Sequence, residues 1–171
     1  MRHAIPVHRL SSPLPSPLAG LLAGLLALAL SGAALACPDA PRAEAERMTA
    51  LINADRAARN LAPLRHDPQL AALAQAHACD MARNGFFSHT GSGGVSFMQR
   101  VRAAGGLRGC VMSENIAMGV GSSDAAHRLW MDSSGHRANI LRADNARVGL
   151  GIATPRGGRG MRWVTVFAGG C

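Results

Sequence analysis

The chain has 171 residues, with eighteen basic and ten acidic side chains and a formal net charge of +8. All the basic residues are arginines, and they are scattered rather than grouped, while aromatics make up only 4% of the chain. No nucleic-acid partner is therefore expected, since that would call for a basic stripe with interleaved aromatics. The length suits one domain.

The N-terminus carries Arg2 and Arg9, and residues 18–36 then contain no charged side chain. A basic start, an apolar stretch and the small residues Ala34 and Ala36 form a secretory signal peptide cut after Ala36. Residues 1–36 are then the signal peptide and 37–171 the single domain, secreted or periplasmic, with no transmembrane span after cleavage. Two alternatives remain. One is a retained anchor, because the uncharged run nearly reaches bilayer length. The other is lipid attachment at Cys37, although Ala34 stands where such signals usually have Leu.

All four cysteines, Cys37, Cys79, Cys110 and Cys171, lie beyond the expected cut. An even count in an exported chain points to disulfides, and the absence of a Cys-x-x-Cys pair argues against a redox motif or zinc knuckle. Three pairings are open. The preferred hypothesis is Cys37–Cys171, which ties down both ends of the mature chain, with Cys79–Cys110 closing a loop across the middle.

A first helix is expected from Pro41 to about Arg59, with Pro41 and Glu44 suited to its first turn and Met48, Leu51 and Ile52 as its apolar stripe. A second starts at Asp67-Pro68, where Asp67 can cap and Pro68 has no amide hydrogen to leave unpaired. Its inner face holds Leu70, Leu73, Ala74, His77 and Met81, and Gly85 ends it. Ser96 and Gln99 form a capping box for a short helix to Ala104, burying Phe97 and Val101. Glu114 to Met118 reads as a short strand. Ser122 or Ser123 caps a helix to about Ser133 with Ala126, Leu129 and Trp130 inward. Val148–Thr154, alternating glycine with apolar residues, and Trp163–Phe167 read as two strands joined by the Gly-rich hairpin loop 155–160.

Four segments carry side chains suited to a site: Phe86-Phe-Ser-His89, Ser113-Glu-Asn-Ile-Ala117, Trp130-Met-Asp-Ser133 and Gly135-His-Arg-Ala-Asn-Ile-Leu141. Together with Leu51-Ile-Asn-Ala-Asp-Arg56, Leu61-Ala-Pro-Leu64 and His77-Ala-Cys-Asp-Met-Ala82, they resemble the CAP superfamily, the SCP-like extracellular domain, in its compact bacterial form. The resemblance runs from about Met48 to Phe167. It implies an α+β fold, an α-β-α sandwich with a small antiparallel sheet between helical layers, and residence outside the cytoplasm.

The larger animal and plant relatives carry a cavity with two histidines and two glutamates. By motif, His89, Glu114 and His136 match three of these, and Ser133 stands at the fourth position. Asp132 is adjacent, but one step along a helix turns it about 100° away. Two neutral imidazoles and a carboxylate can hold a zinc ion with a position left for water, so His89, Glu114 and His136 are the candidate metal ligands. The competing arrangement is a hydrogen-bonded structural cluster in which Glu114 accepts from the histidines.

His77 is expected to be a buried, satisfied histidine and His66 to be solvated. Asn115 and Asn139 are expected to fix loops through backbone bonds, and no Gly-x-Ser-x-Gly elbow accompanies the serines. The leading function is a non-enzymatic binding or interaction module for a lipid, an envelope component or a protein. The alternative is a metal-assisted or Glu114-dependent hydrolase acting on peptide or envelope polymer.

Overall fold

The structure, a computed structural model, describes residues 1, 37–105, 107, 111–158 and 160–171. The expected signal peptide and Cys110 lie outside the described residues. Five helices and four strands follow in the order α1 (Arg42–Ala57), β1 (Arg65–His66), α2 (Pro68–Asn84), α3 (Phe97–Ala104), β2 (Val111–Met118), α4 (Ser123–Asp132), α5 (Ser134–Ile140), β3 (Asn145–Ala153) and β4 (Arg162–Gly169).

The caps form as local chemistry requires. Asp67 accepts from the amides of Gln69 and Leu70 at the start of α2, and Gly85 closes that helix in the left-handed conformation. Ser96 and Gln99 make a reciprocal capping box on α3, and Ser122 caps α4.

The sheet order is β1-β3-β4-β2, antiparallel except for the two-residue parallel edge β1. Alternation along β4 divides the core. Val164, Val166 and Ala168 face α2 with Leu70, Leu73, Ala74 and Met81. Trp163 and Phe167 face the opposite layer, where Met48 and Ile52 of α1, Trp130 of α4 and Ile140 of α5 pack. The result is the α-β-α sandwich expected from the sequence.

The glycine alternation in β3 has its expected purpose. A Cβ at Gly149 would overlap the backbone of Leu70 and Ala71, and one at Gly151 the backbone of Ala74 and Gln75. The helix therefore rests directly on the strand.

Three expectations need correction, and one helix is added. Cys37 is bridged to Cys79, with Cα atoms 5.9 Å apart, so neither Cys37–Cys171 nor Cys79–Cys110 forms. The physical reason is the path of the N-terminal segment. Gln75, one helical turn before Cys79, donates to the Pro38 carbonyl (2.8 Å) and also bonds both the amide and the carbonyl of Ile152. The segment entering α1 is thereby held against α2. A bridged Cys37 has no thiol left to carry a lipid.

Leu129, expected inward, is 48% exposed; the inner face of α4 holds His127 beside Ala126 and Trp130 instead. The strand expected at Glu114 begins earlier, at Val111. The seven-residue helix α5 was not foreseen, because its sequence Ser134-Gly-His-Arg-Ala-Asn-Ile140 is too short to show an apolar period.

Candidate functional site

β2 is the edge strand next to β4, and consecutive residues on it point to opposite faces. Glu114 shares its face with Ile116, toward the α2 layer, while Asn115 points toward α5. The two halves of the site grow from these two neighbours.

On the α2 side, the loop after Gly85 is fastened from the helix. His77 Nε2 donates to the Ser88 carbonyl at 2.8 Å, and Asp80 accepts from the Ser92 amide and hydroxyl at 2.8 and 2.6 Å. Burial lowers the His77 pKa, despite the nearby Glu114 carboxylate. Burial pushes the Asp80 carboxyl up, but hydrogen bonds from Ser92 and Asn84 outweigh it and hold Asp80 below the usual range. The fastened loop presents His89, whose Nδ1 donates to Glu114 Oε1 at 2.9 Å.

Arg100 supplies the other half of the Glu114 environment. It donates to Oε2 at 2.8 Å and, through a second nitrogen, to the carbonyls of His89 (2.9 Å) and Val95 (3.2 Å). Its guanidinium lies 5.7 Å from the Phe97 ring centre. The side chains are 2% exposed for Glu114, 12% for Arg100 and 53% for His89. The imidazole is therefore the accessible member of the trio. In a neutral ring that donates from Nδ1, Nε2 is the acceptor, and in a protonated ring both nitrogens donate.

On the other side, Asn115 donates to the His136 carbonyl (3.0 Å), Asn139 donates to Asn115 Oδ1 (2.8 Å), and Asn145 donates to the Asn139 carbonyl (2.8 Å). This chain of amides fixes α5 against β2; Asn115 and Asn139 are structural, as expected, but they hold a helix rather than a loop, and partly through a bond between their side chains. The His136 pKa is lowered by burial and then by the neighbouring His89 charge, and its Nδ1 is buried without a hydrogen-bond partner. Ser133 is the extended residue between α4 and α5 and makes no side-chain cap bond. Asp132 is exposed.

His89 and Glu114 are thus brought together, and His136 lies near enough to His89 for their charges to interact. The zinc set is not formed. Among the described residues, no group of three His, Cys, Asp or Glu side chains is arranged to hold a metal ion. The strand register gives the reason: Glu114 faces the α2 layer, whereas His136 rides on α5 in the opposite layer. Both Glu114 oxygens are engaged as well, one of them by a permanent cation. As placed, the three side chains do not form a common ligand set.

Arg100 is the residue that sequence reasoning missed. A signal was present, since Phe97, Arg100 and Val101 share one face of a capped helix, and a charge on the buried face of a short helix asks for a partner. Apolar grooves lie beside the trio and away from it. One of about 430 Å³ runs between α2 and α3, lined by Leu73, Ala76, Ala103 and the Arg100 stem. Another of about 580 Å³ lies along α1, beside Ala45, Thr49, Ala50 and the exposed His66.

The profile of the cysteine-rich secretory protein family, CAP, matches residues 49–167, which include every residue of this site. The chain belongs to the CAP family. YkwD of Bacillus subtilis (strain 168) is 30% identical over 132 residues, covering 77% of this chain and 49% of its own length.

Among solved structures, an extracellular SCP-domain protein of Bacillus anthracis str. Ames aligns with a TM-score of 0.65 and 28% identity. It covers 73% of this chain and 40% of that one. An outer surface protein of Borrelia burgdorferi aligns with a TM-score of 0.69 and 19% identity, covering 80% of this chain and all of that one; this likeness concerns the fold. The CAP domain described here therefore spans about half the length of YkwD and less of the Bacillus anthracis protein. Among the described residues, no helix is long and apolar enough to cross a membrane.

Proposed function

We propose that this CAP protein is exported by the segment 1–36 and acts as a non-enzymatic binding or interaction module. Three features support export: the basic-apolar-small pattern ending at Ala36, the Cys37–Cys79 bridge, and similarity to a Bacillus anthracis protein described as extracellular. The function itself rests on one observation. Glu114, the carboxylate a hydrolase would use as base or metal ligand, is almost wholly buried and bonded on both oxygens, to His89 and to Arg100. A carboxylate held in this way is turned to its protein partners rather than to the surface. What the trio presents outward is the half-exposed His89 ring, suited to hydrogen bonding a ligand, with the α2/α3 groove as apolar surface nearby. A lipid, an envelope component or a protein segment would meet that combination.

The test is an activity screen on peptide and envelope-polymer substrates, comparing the protein with Glu114→Gln. No hydrolysis above background is expected from either. A rate present in the parent and lost in a folded Glu114→Gln would establish the hydrolase instead.

A further inference from the structure

We propose that Arg100 is the resident cation of this site, a positioning residue that does internally what a divalent metal would do and that keeps such a metal out. A bound metal at this place would neutralise Glu114 and hold the loop bearing His89 to the sheet. Arg100 already does both. One nitrogen is 2.8 Å from Glu114 Oε2, and another bonds the His89 and Val95 carbonyls, so a single guanidinium ties β2, α3 and the 89–95 loop together. It cannot lose its proton to make way for another cation. It is also not free to swing aside, because its side chain is 12% exposed, its Nε is buried and its plane sits near Phe97.

The charge argument is stronger than the occupancy argument. An ionised carboxylate has lone pairs enough for a further ligand. A divalent cation close to a fixed guanidinium is nonetheless repelled, and on the buried Glu114 side of the trio solvent screens that repulsion less than it would at an open surface. Ser133 adds no compensating negative charge, and Asp132 is exposed. Removing the Arg100 charge should therefore leave Glu114 and His89 open to a metal.

The experiment uses protein expressed from the full chain, purified metal-free and titrated with zinc alone at neutral pH. Calorimetry and thermal unfolding are read in parallel. The parent is expected to show no saturable zinc binding and no zinc-dependent rise in Tm. Arg100→Met, which keeps much of the stem, should bind one zinc at least tenfold more tightly than the parent and recover Tm when zinc is added. Adding His89→Ala to Arg100→Met should abolish that gain, and Arg100→Lys, which keeps a cation, should behave as the parent. A parent that binds one zinc, lost in His89→Ala, overturns the proposal. So does a folded Arg100→Met that gains no zinc affinity, or an unfolded Arg100→Met that zinc does not restore. None of these readouts depends on hydrolysis or ligand binding, so the proposal stands or falls separately from the binding-module reading.

Discussion

Two arginines, the buried Arg56 and the largely covered Arg100, have different surroundings. Arg56, with no exposed surface, donates to four backbone carbonyls: Ala62, Ile140, Arg142 and Asn145, at 2.8 to 3.2 Å. No carboxylate is among those partners. Arg100 bonds two carbonyls and the Glu114 carboxylate. The first arrangement ties the end of α5 and the loop after it to α1. The second also sets the charge of a site. A buried guanidinium is thus a chain fastener when its acceptors are all peptide groups, and becomes part of the chemistry once a carboxylate joins them.

The largest effect expected from this contrast is at Arg56. Arg56→Met should cost about 3–5 kcal/mol, because several buried acceptors lose charge-assisted bonds at once, and urea denaturation would measure it. Arg56→Lys should recover only a minority of the loss, since one ammonium cannot span four carbonyls in the directions a guanidinium does. If Lys proves equivalent, the fastening is not directional and the contrast with Arg100 weakens. Arg100→Met should cost less, about 1–3 kcal/mol, and the loss should be local. Hydrogen exchange should quicken in residues 89–96 and stay protected around α5.

A smaller effect follows from Asn139→Ala, which breaks the amide chain between β2 and α5. About 1 kcal/mol is expected, with the His136 ring signals shifting by NMR while those of His89 hold.

The smallest effect is in acid. The folded-state pKa values of His77 and His136 are both lowered by burial below the ordinary 6.5. Between those values and 6.5 the unfolded chain binds more protons than the folded one, so stability falls as pH drops from about 6.5 toward the folded-state values. The lowered Asp67 and Asp80 extend the loss further down, once the pH passes below the ordinary carboxylate range. The urea midpoint at pH 5.5 should lie below that at pH 7.5, and His77→Gln should flatten the difference.

Much of the fold was legible because its signals are local. Asp67-Pro68, the Ser96/Gln99 box, the inner face Leu70-Leu73-Ala74-His77-Met81 and the glycines of β3 each declare themselves within a few residues. Helix α5 did not, being too short for a period. The disulfide pairing did not either, because it depends on how Gln75 holds the incoming chain against α2. The site was half legible. The motifs named His89, Glu114 and His136, and His89 does meet Glu114. That Glu114 and His136 belong to opposite faces is a matter of strand register, and Arg100 was hidden because it reads as one scattered arginine among many.

The bridge at Cys37 bears on where the chain could be cut without loss of the staple. The expected cut after Ala36 leaves this cysteine as the first residue. A peptidase acting one bond further along would carry off the sulfur and strand Cys79 in the interior beside Gln75. A chain without Cys37 cannot close the bridge to Cys79.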